Sequence, residues 1–209
     1  MENRKKSKIG LLGGTFNPVH HGHLALARAA LDAHALDAVW FIPCGCPVHK
    51  SAEALAPASH RIAMLELAIL GHPRFAVSRV ETDREGKSFT VETVESLRKE
   101  YPDAEWYFII GSDTLPELAS WHRIEDLLAS CRIIAMQRPG VPVGDALENM
   151  IVLPDPWPQR LVADMFSGHL MDIASSTIRK KVAQRCQINN LVPEKVAEYI
   201  QRNNLYLEE

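Results

Sequence analysis

The chain has 209 residues, 46% of them hydrophobic, enough to bury a real core, so one domain over 1–209 with a small helical C-terminal subregion (about 173–209) is the expectation. Its 23 basic and 26 acidic residues are mixed along the sequence and net to −3, which leaves no broad footprint for nucleic acid or membrane and points to small partners. The four cysteines fit neither a dense disulfide framework nor a paired zinc pattern, and the basic Met1–Lys8 precedes an apolar run too short for a signal peptide or a span, so the chain reads as cytoplasmic.

In chain order, Ile9 to Leu12 reads as a buried strand and Ala25 to Leu31 as helix, with Gly13-Gly14-Thr15-Phe16-Asn17-Pro18-Val19-His20-His21-Gly22-His23-Leu24 as the turn between them. Two glycines allow close backbone approach, Asn17-Pro18 favours a turn, and His20 and His23 stand three apart where the helix begins. Amide N–H groups and the positive end of a helix dipole favour anions there, so the stretch is a place to hold phosphate.

Ala38 to Pro43 is a second apolar strand, followed by a loop carrying Cys44 to Pro57. Ser59 to Leu70 has helical spacing, with Ile62, Leu65 and Ile69 on one face and Gly71 as a stop; Phe75 to Val80 is a strand, and Ser88 or Thr90 can cap a helix to about Tyr101. Glu105 to Ile110 is a strand that meets Gly111-Ser112-Asp113, a short helical piece and Trp121. Arg123 to Ala129 reads as helix, Cys131 to Met136 as a strand closed by Gln137-Arg138-Pro139-Gly140, and Met150 to Leu153 as a short strand. The proline-rich start of 154–171 predicts irregular structure, Ser175 or Ser176 can cap a helix through Arg185, and Pro193 suits the first position of a last helix to about Asn203. This alternation predicts an α/β fold, an open and mostly parallel sheet with helices on both faces, in which ligands bind outside the carboxyl ends of the strands.

Gly10 to Gly14 does not give G-x-G-x-x-G, and no Gly-Lys-Ser/Thr follows, so neither the dinucleotide fingerprint nor the P-loop is present. Zinc on His20, His23, His49, Cys44 and Cys46 is disfavoured by the C-x-C spacing and the lack of H-E-x-x-H, and the expectation is no protein-held metal. The Thr-Phe-Asn-Pro turn followed by His20-His21-Gly22-His23, with Ala174-Ser175-Ser176-Thr177-Ile178-Arg179 downstream, resembles the nucleotidyltransferase superfamily, a Rossmann-like fold. Pro47-Val48-His49-Lys50, Ser88-Phe89-Thr90, Gly111-Ser112-Asp113, Trp121 and Arg138-Pro139-Gly140 further resemble the bacterial nicotinate-nucleotide adenylyltransferases. In departure from the pattern, Asn17 stands where that family more often has Asp, and Cys44-Gly45-Cys46 lies where some of its members carry asparagine.

The resemblance implies transfer of AMP from ATP to nicotinate mononucleotide, a step of NAD biosynthesis, with Mg²⁺ carried by the ATP phosphates. In such a reaction His20, His23 and Arg179 contact the triphosphate, the Gly13, Gly14, Thr15, Phe16 and Gly22 backbone cradles it, and Ser176 and Thr177 lie near its phosphates. It further implies Gly111 and Asp113 at the adenosine, Trp121 stacked on the pyridine ring, Thr90 at the ring carboxylate, and Lys50 and Arg138 at the mononucleotide phosphate. Alternative acceptors are nicotinamide mononucleotide and phosphopantetheine, and a non-catalytic nucleotide-sensing module is the alternative of another class. Taken alone, Trp121 also suits core packing and Gly111 to Asp113 a plain turn. Monomer and homo-oligomer are both compatible with the sequence.

Overall fold

Six strands form a parallel sheet in the order β3-β2-β1-β4-β5-β6. The computed structural model describes residues 6–46, 55–169 and 171–207; Pro47-Val48-His49-Lys50, with the expected phosphate ligand Lys50, lies outside the described residues. The elements are β1 (Ser7–Gly14), α1 (His21–Ala33), β2 (Ala38–Pro43), α2 (Ala58–Ala68), β3 (Phe75–Val77), α3 (Thr90–Glu100), β4 (Ala104–Gly111), a 3₁₀ helix (Ser112–Ser120), α4 (Ile124–Ser130), β5 (Arg132–Met136), α5 (Asp145–Glu148), α6 (Trp157–Ala163), β6 (Met165–Phe166), α7 (Ser175–Ala183) and α8 (Glu194–Arg202). No helix among the described residues is long and apolar enough to cross a membrane.

The chain divides into two compact units, one of Met1–Leu12, Leu26–Val39 and Phe89–His169, the other of Gly13–Ala25, Trp40–Ser88 and Leu170–Glu209. In the first, β4 pairs in parallel with β1 (Ser7 opposite Ala104, Leu11 opposite Phe108) and with β5 (Tyr107 opposite Arg132, Gly111 opposite Met136). Trp106 to Ile110 are all buried, as a run without alternation demands when both faces of a strand are covered. Val91, Val94 and Leu97 on α3 and Leu127 and Leu128 on α4 close this core. In the second unit Phe41 packs edge-on against Phe75, and Met64 and Leu65 of α2 and Val196 and Ile200 of α8 supply the buried faces.

Four expectations fail for physical reasons. Met150 to Leu153 is not a strand: Ile151 is buried but Val152 is 76% exposed, and the edge of β5 is taken instead by Met165 and Phe166, opposite Ala135 and Met136. The stretch 154–171 is not irregular throughout: it holds α6 and β6, and Pro158 falls in the first turn of α6, where a missing N–H removes no helical bond. Neither Ser88 nor Thr90 caps α3, whose N-cap is Phe89 with no side-chain hydrogen bond. Neither Ser175 nor Ser176 caps α7; its N-cap is Ala174, and the Ser175 hydroxyl is used elsewhere. The third strand is also shorter than expected, ending at Val77.

Candidate active site

β1 ends on Gly13-Gly14, and the chain then turns through Phe16, whose φ of +47° is a left-handed conformation uncommon for a bulky residue. Burial of the Phe16 ring holds it: the ring is 1% exposed, 5.8 Å from Phe41 and edge-on to His23 at 4.9 Å. The His20 and His23 rings stack with centroids 3.7 Å apart. The His20 N–H donates to His23 Nδ1 at 3.2 Å, which assigns the neutral His23 ring its proton on Nε2, as a donor. A side chain at residue 22 would crowd this arrangement: a Cβ there would lie 3.1 Å from His20 Nδ1 and 3.3 Å from the Met171 carbonyl, so the His20 ring would have to give by a few tenths of an ångström.

Side chains from far along the sequence grip the carbonyls of the turn. Arg61 Nη1–H donates to the Thr15 carbonyl and its Nε–H to the Ala56 carbonyl, both at 3.0 Å. Arg179 Nη1–H donates to the Asn17 carbonyl and the Ser175 hydroxyl to the Pro18 carbonyl, both at 2.9 Å. A trans peptide points its N–H opposite its C=O, so fixing the Thr15 carbonyl aims the Phe16 amide away from Arg61. Asn17 Oδ1 accepts the Ala56 N–H (3.1 Å) and the Tyr206 hydroxyl (2.8 Å). Arg61 is 2% exposed; burial lowers its pKa, but a guanidinium stays charged, so two cations flank this turn. Ser176 and Thr177, in the first turn of α7, are exposed.

In the first unit, Gly111, Asp113 and Arg138 converge. A Cβ on Gly111 would overlap the Asp113 carboxylate and lie 2.8 Å from Arg138 Nε, so a side chain there would push these two flexible groups aside. The two charges are 3.6 Å apart, and the Arg138 N–H donates to the buried Ser112 hydroxyl oxygen at 2.9 Å. Sequence reasoning assigned Asp113 and Arg138 to different substrates, and their pairing was not foreseen. Trp121 is half-buried, standing edge-on to Phe108 at 5.9 Å. Thr90 opens α3 with Phe89 before it, and the Phe89 ring lies 4.4 Å from His122. Arg61, Ser175 and Tyr206 were missed as partners of the turn. The one signal for Arg61 was an arginine in register with Met64, Leu65 and Ala68 on an apolar face.

Residues 11–181 match the model of the cytidylyltransferase-like family. The chain is similar to the probable nicotinate-nucleotide adenylyltransferase of Geobacter metallireducens, 41% identical over 95% of this chain and 98% of that protein. It is also similar to that of Geobacillus thermodenitrificans, 40% identical over 95% of this chain and 86% of that protein. The chain belongs to the cytidylyltransferase-like family, among the nicotinate-nucleotide adenylyltransferases. Its fold matches that of a Plasmodium falciparum nicotinic acid mononucleotide adenylyltransferase complexed with NaAD, with a TM-score of 0.75 at 20% identity over 96% of this chain and 97% of that one. As a member of this family the chain is a nucleotidyltransferase. Cys44, which follows β2, is half-buried, and burial and then the nearby Glu81 carboxylate push its thiol up to about 11, so at neutral pH it is protonated and a poor nucleophile or metal ligand.

Proposed function

We propose that the chain transfers AMP from ATP to nicotinate mononucleotide, giving deamido-NAD and pyrophosphate. The mononucleotide's phosphate oxygen attacks the α-phosphorus of ATP, the bond from that phosphorus to the bridging oxygen breaks, and pyrophosphate leaves with the electron pair. The nucleophile is already an anion, so no general base is required. The work left to the protein is to hold two polyanions in line and to stabilise charge on the leaving group.

The observation that carries this reading is the turn 13–23: stacked His20 and His23 and an aimed Phe16 amide, with the turn's carbonyls gripped by Arg61 and Arg179. Donors fixed in advance stabilise developing charge without reorganising, and in many enzymes such preorganisation lowers the barrier more than any other effect. In this assignment His20, His23 and Arg179 act on the triphosphate with the Gly13, Gly14, Thr15, Phe16 and Gly22 backbone and with Ser176 and Thr177. Gly111 and Asp113 take the adenosine, while Trp121 stacks on the pyridine ring, Thr90 meets its carboxylate, and Lys50 and Arg138 hold the mononucleotide phosphate. The indole, only half-buried, keeps part of its surface open to stack, and the names and full-length coverage of the relatives support the acceptor.

Imidazole, amide and guanidinium donors suit phosphate oxygens rather than a hard cation, and among the described residues no group of three or more His, Cys, Asp or Glu could hold a metal ion. These residues fit a Mg²⁺ that enters on the triphosphate, where it would neutralise charge on the leaving pyrophosphate. We place the reaction in the cytoplasm as one domain's work. Mixing the protein with ATP, Mg²⁺ and nicotinate mononucleotide should release pyrophosphate and form deamido-NAD in equal amounts. Saturable nucleotide binding with no pyrophosphate would replace the reading with a sensing module.

A further inference from the structure

The last helix and the residues after it do more than close a core. Tyr199 on α8 is joined to His60 on α2, its hydroxyl 2.9 Å from His60 Nδ1, and the next residue on α2 is Arg61, which donates to the Thr15 carbonyl. Beyond α8 the chain turns sharply: Asn203 is the C-cap, the Leu205 N–H returns to the Ile200 carbonyl, and Asn204 and Tyr206 take φ of +51° and +63°. A left-handed backbone is costly for a tyrosine and persists only where surrounding contacts over-determine it. What this conformation secures is a half-buried phenol whose O–H donates to Asn17 Oδ1 at 2.8 Å. The same oxygen accepts the Ala56 N–H, while the carbonyl of residue 17 accepts from Arg179. Asn17 is thus held from its side chain by Tyr206 and from its backbone by Arg179, and both guanidiniums, Arg61 and Arg179, act electrostatically on the phenol.

We propose that Tyr206 is a positioning residue for catalysis: through Asn17 it fixes the turn that presents Phe16, His20 and His23 to the triphosphate. The inference rests on the reaction proposed above. Tyr206 touches no substrate in this account and acts only through Asn17, 189 residues away in sequence.

The test is Tyr206→Phe, which keeps the ring and removes one O–H. For one lost hydrogen bond, kcat/KM for ATP should fall roughly fivefold, while KM for nicotinate mononucleotide stays at the wild-type value. In an Asn17→Ala background the same change should cost nothing further. Wild-type kcat/KM for ATP in the single variant, or a full additional loss in the double variant, overturns the proposal. Amide hydrogen exchange over residues 15–24 gives a readout that needs no turnover: it should speed up in Tyr206→Phe while exchange in β4 and β5 is unchanged. If the wild-type protein forms no pyrophosphate, the proposed reaction fails, and unaltered exchange in the turn still decides against Tyr206.

Discussion

The turn 13–23 of one unit and the strand-end residues Gly111, Asp113, Trp121 and Arg138 of the other are built to different tolerances. Around the turn the Thr15, Asn17 and Pro18 carbonyls are each held at about 3 Å by a side chain from elsewhere in the fold, and His20 and Asn17 are 6% and 1% exposed. Asp113 and Arg138, by contrast, are 62% and 38% exposed in their side chains and share a 3.6 Å ion pair of a kind worth little in water. Charge stabilisation depends on donors that do not move, because dipoles already aligned cost nothing to align at the moment of reaction. An aromatic platform needs only an open face. On the reading proposed above, the closely held turn acts on the triphosphate, and of the open residues Trp121 and Arg138 meet the acceptor while Gly111 and Asp113 take the adenosine.

Substitutions should separate these two behaviours. The largest effect is expected at His23, whose neutral Nε2–H is the assigned donor: His23→Ala should lower kcat by roughly a hundredfold or more, and steady-state activity within a few-fold of wild type would remove His23 from the chemistry. Gly22→Ala comes next. Its Cβ would press on the His20 ring at 3.1 Å, and a misplaced donor should cost about tenfold in kcat with thermal stability nearly intact; an unaltered kcat would show that the ring can give way freely. At the open region Trp121→Ala should raise KM for the mononucleotide about fivefold, the loss of one aromatic stack, and leave kcat close to wild type. A fall in kcat with KM unchanged would break the division of labour. The smallest change is a rate of modification: with its thiol held up to about 11, Cys44 should react with iodoacetamide about tenfold faster for each unit of pH between about 8 and 10, in step with its thiolate. A plateau near pH 9, read by peptide mass spectrometry, would show an ordinary thiol.

What could be read from the amino-acid order was whatever is local. The strand-turn-helix from Ile9 to Leu31 and the strand Ala38–Pro43 announce themselves through apolar runs and turn residues. His20, Gly22 and His23 form a pattern within four residues, so they stood out together before the stacking of the two rings was seen. Arg61 and Tyr206 were not, because they reach the turn across 46 and 189 residues, and no period or motif marks such a pairing. The two-residue β6 was invisible for a related reason. Met165 and Phe166 are strand only because β5 offers them an edge, whereas the longer run at 150–153 finds none. Side-chain caps were over-read at both α3 and α7, since a serine beside a helix start can bond elsewhere, as Ser175 does at Pro18.

The central claim is that the turn fixes the triphosphate while Trp121 and Arg138 of the other region select the acceptor. It is tested most directly by measuring kcat/KM side by side for nicotinate mononucleotide, nicotinamide mononucleotide and phosphopantetheine at saturating ATP, in wild type and Trp121→Ala. The account predicts that the wild type prefers nicotinate mononucleotide and that Trp121→Ala narrows its lead over phosphopantetheine by about fivefold. Faster turnover of phosphopantetheine by the wild type, or a lead unaffected by loss of the indole, would contradict it.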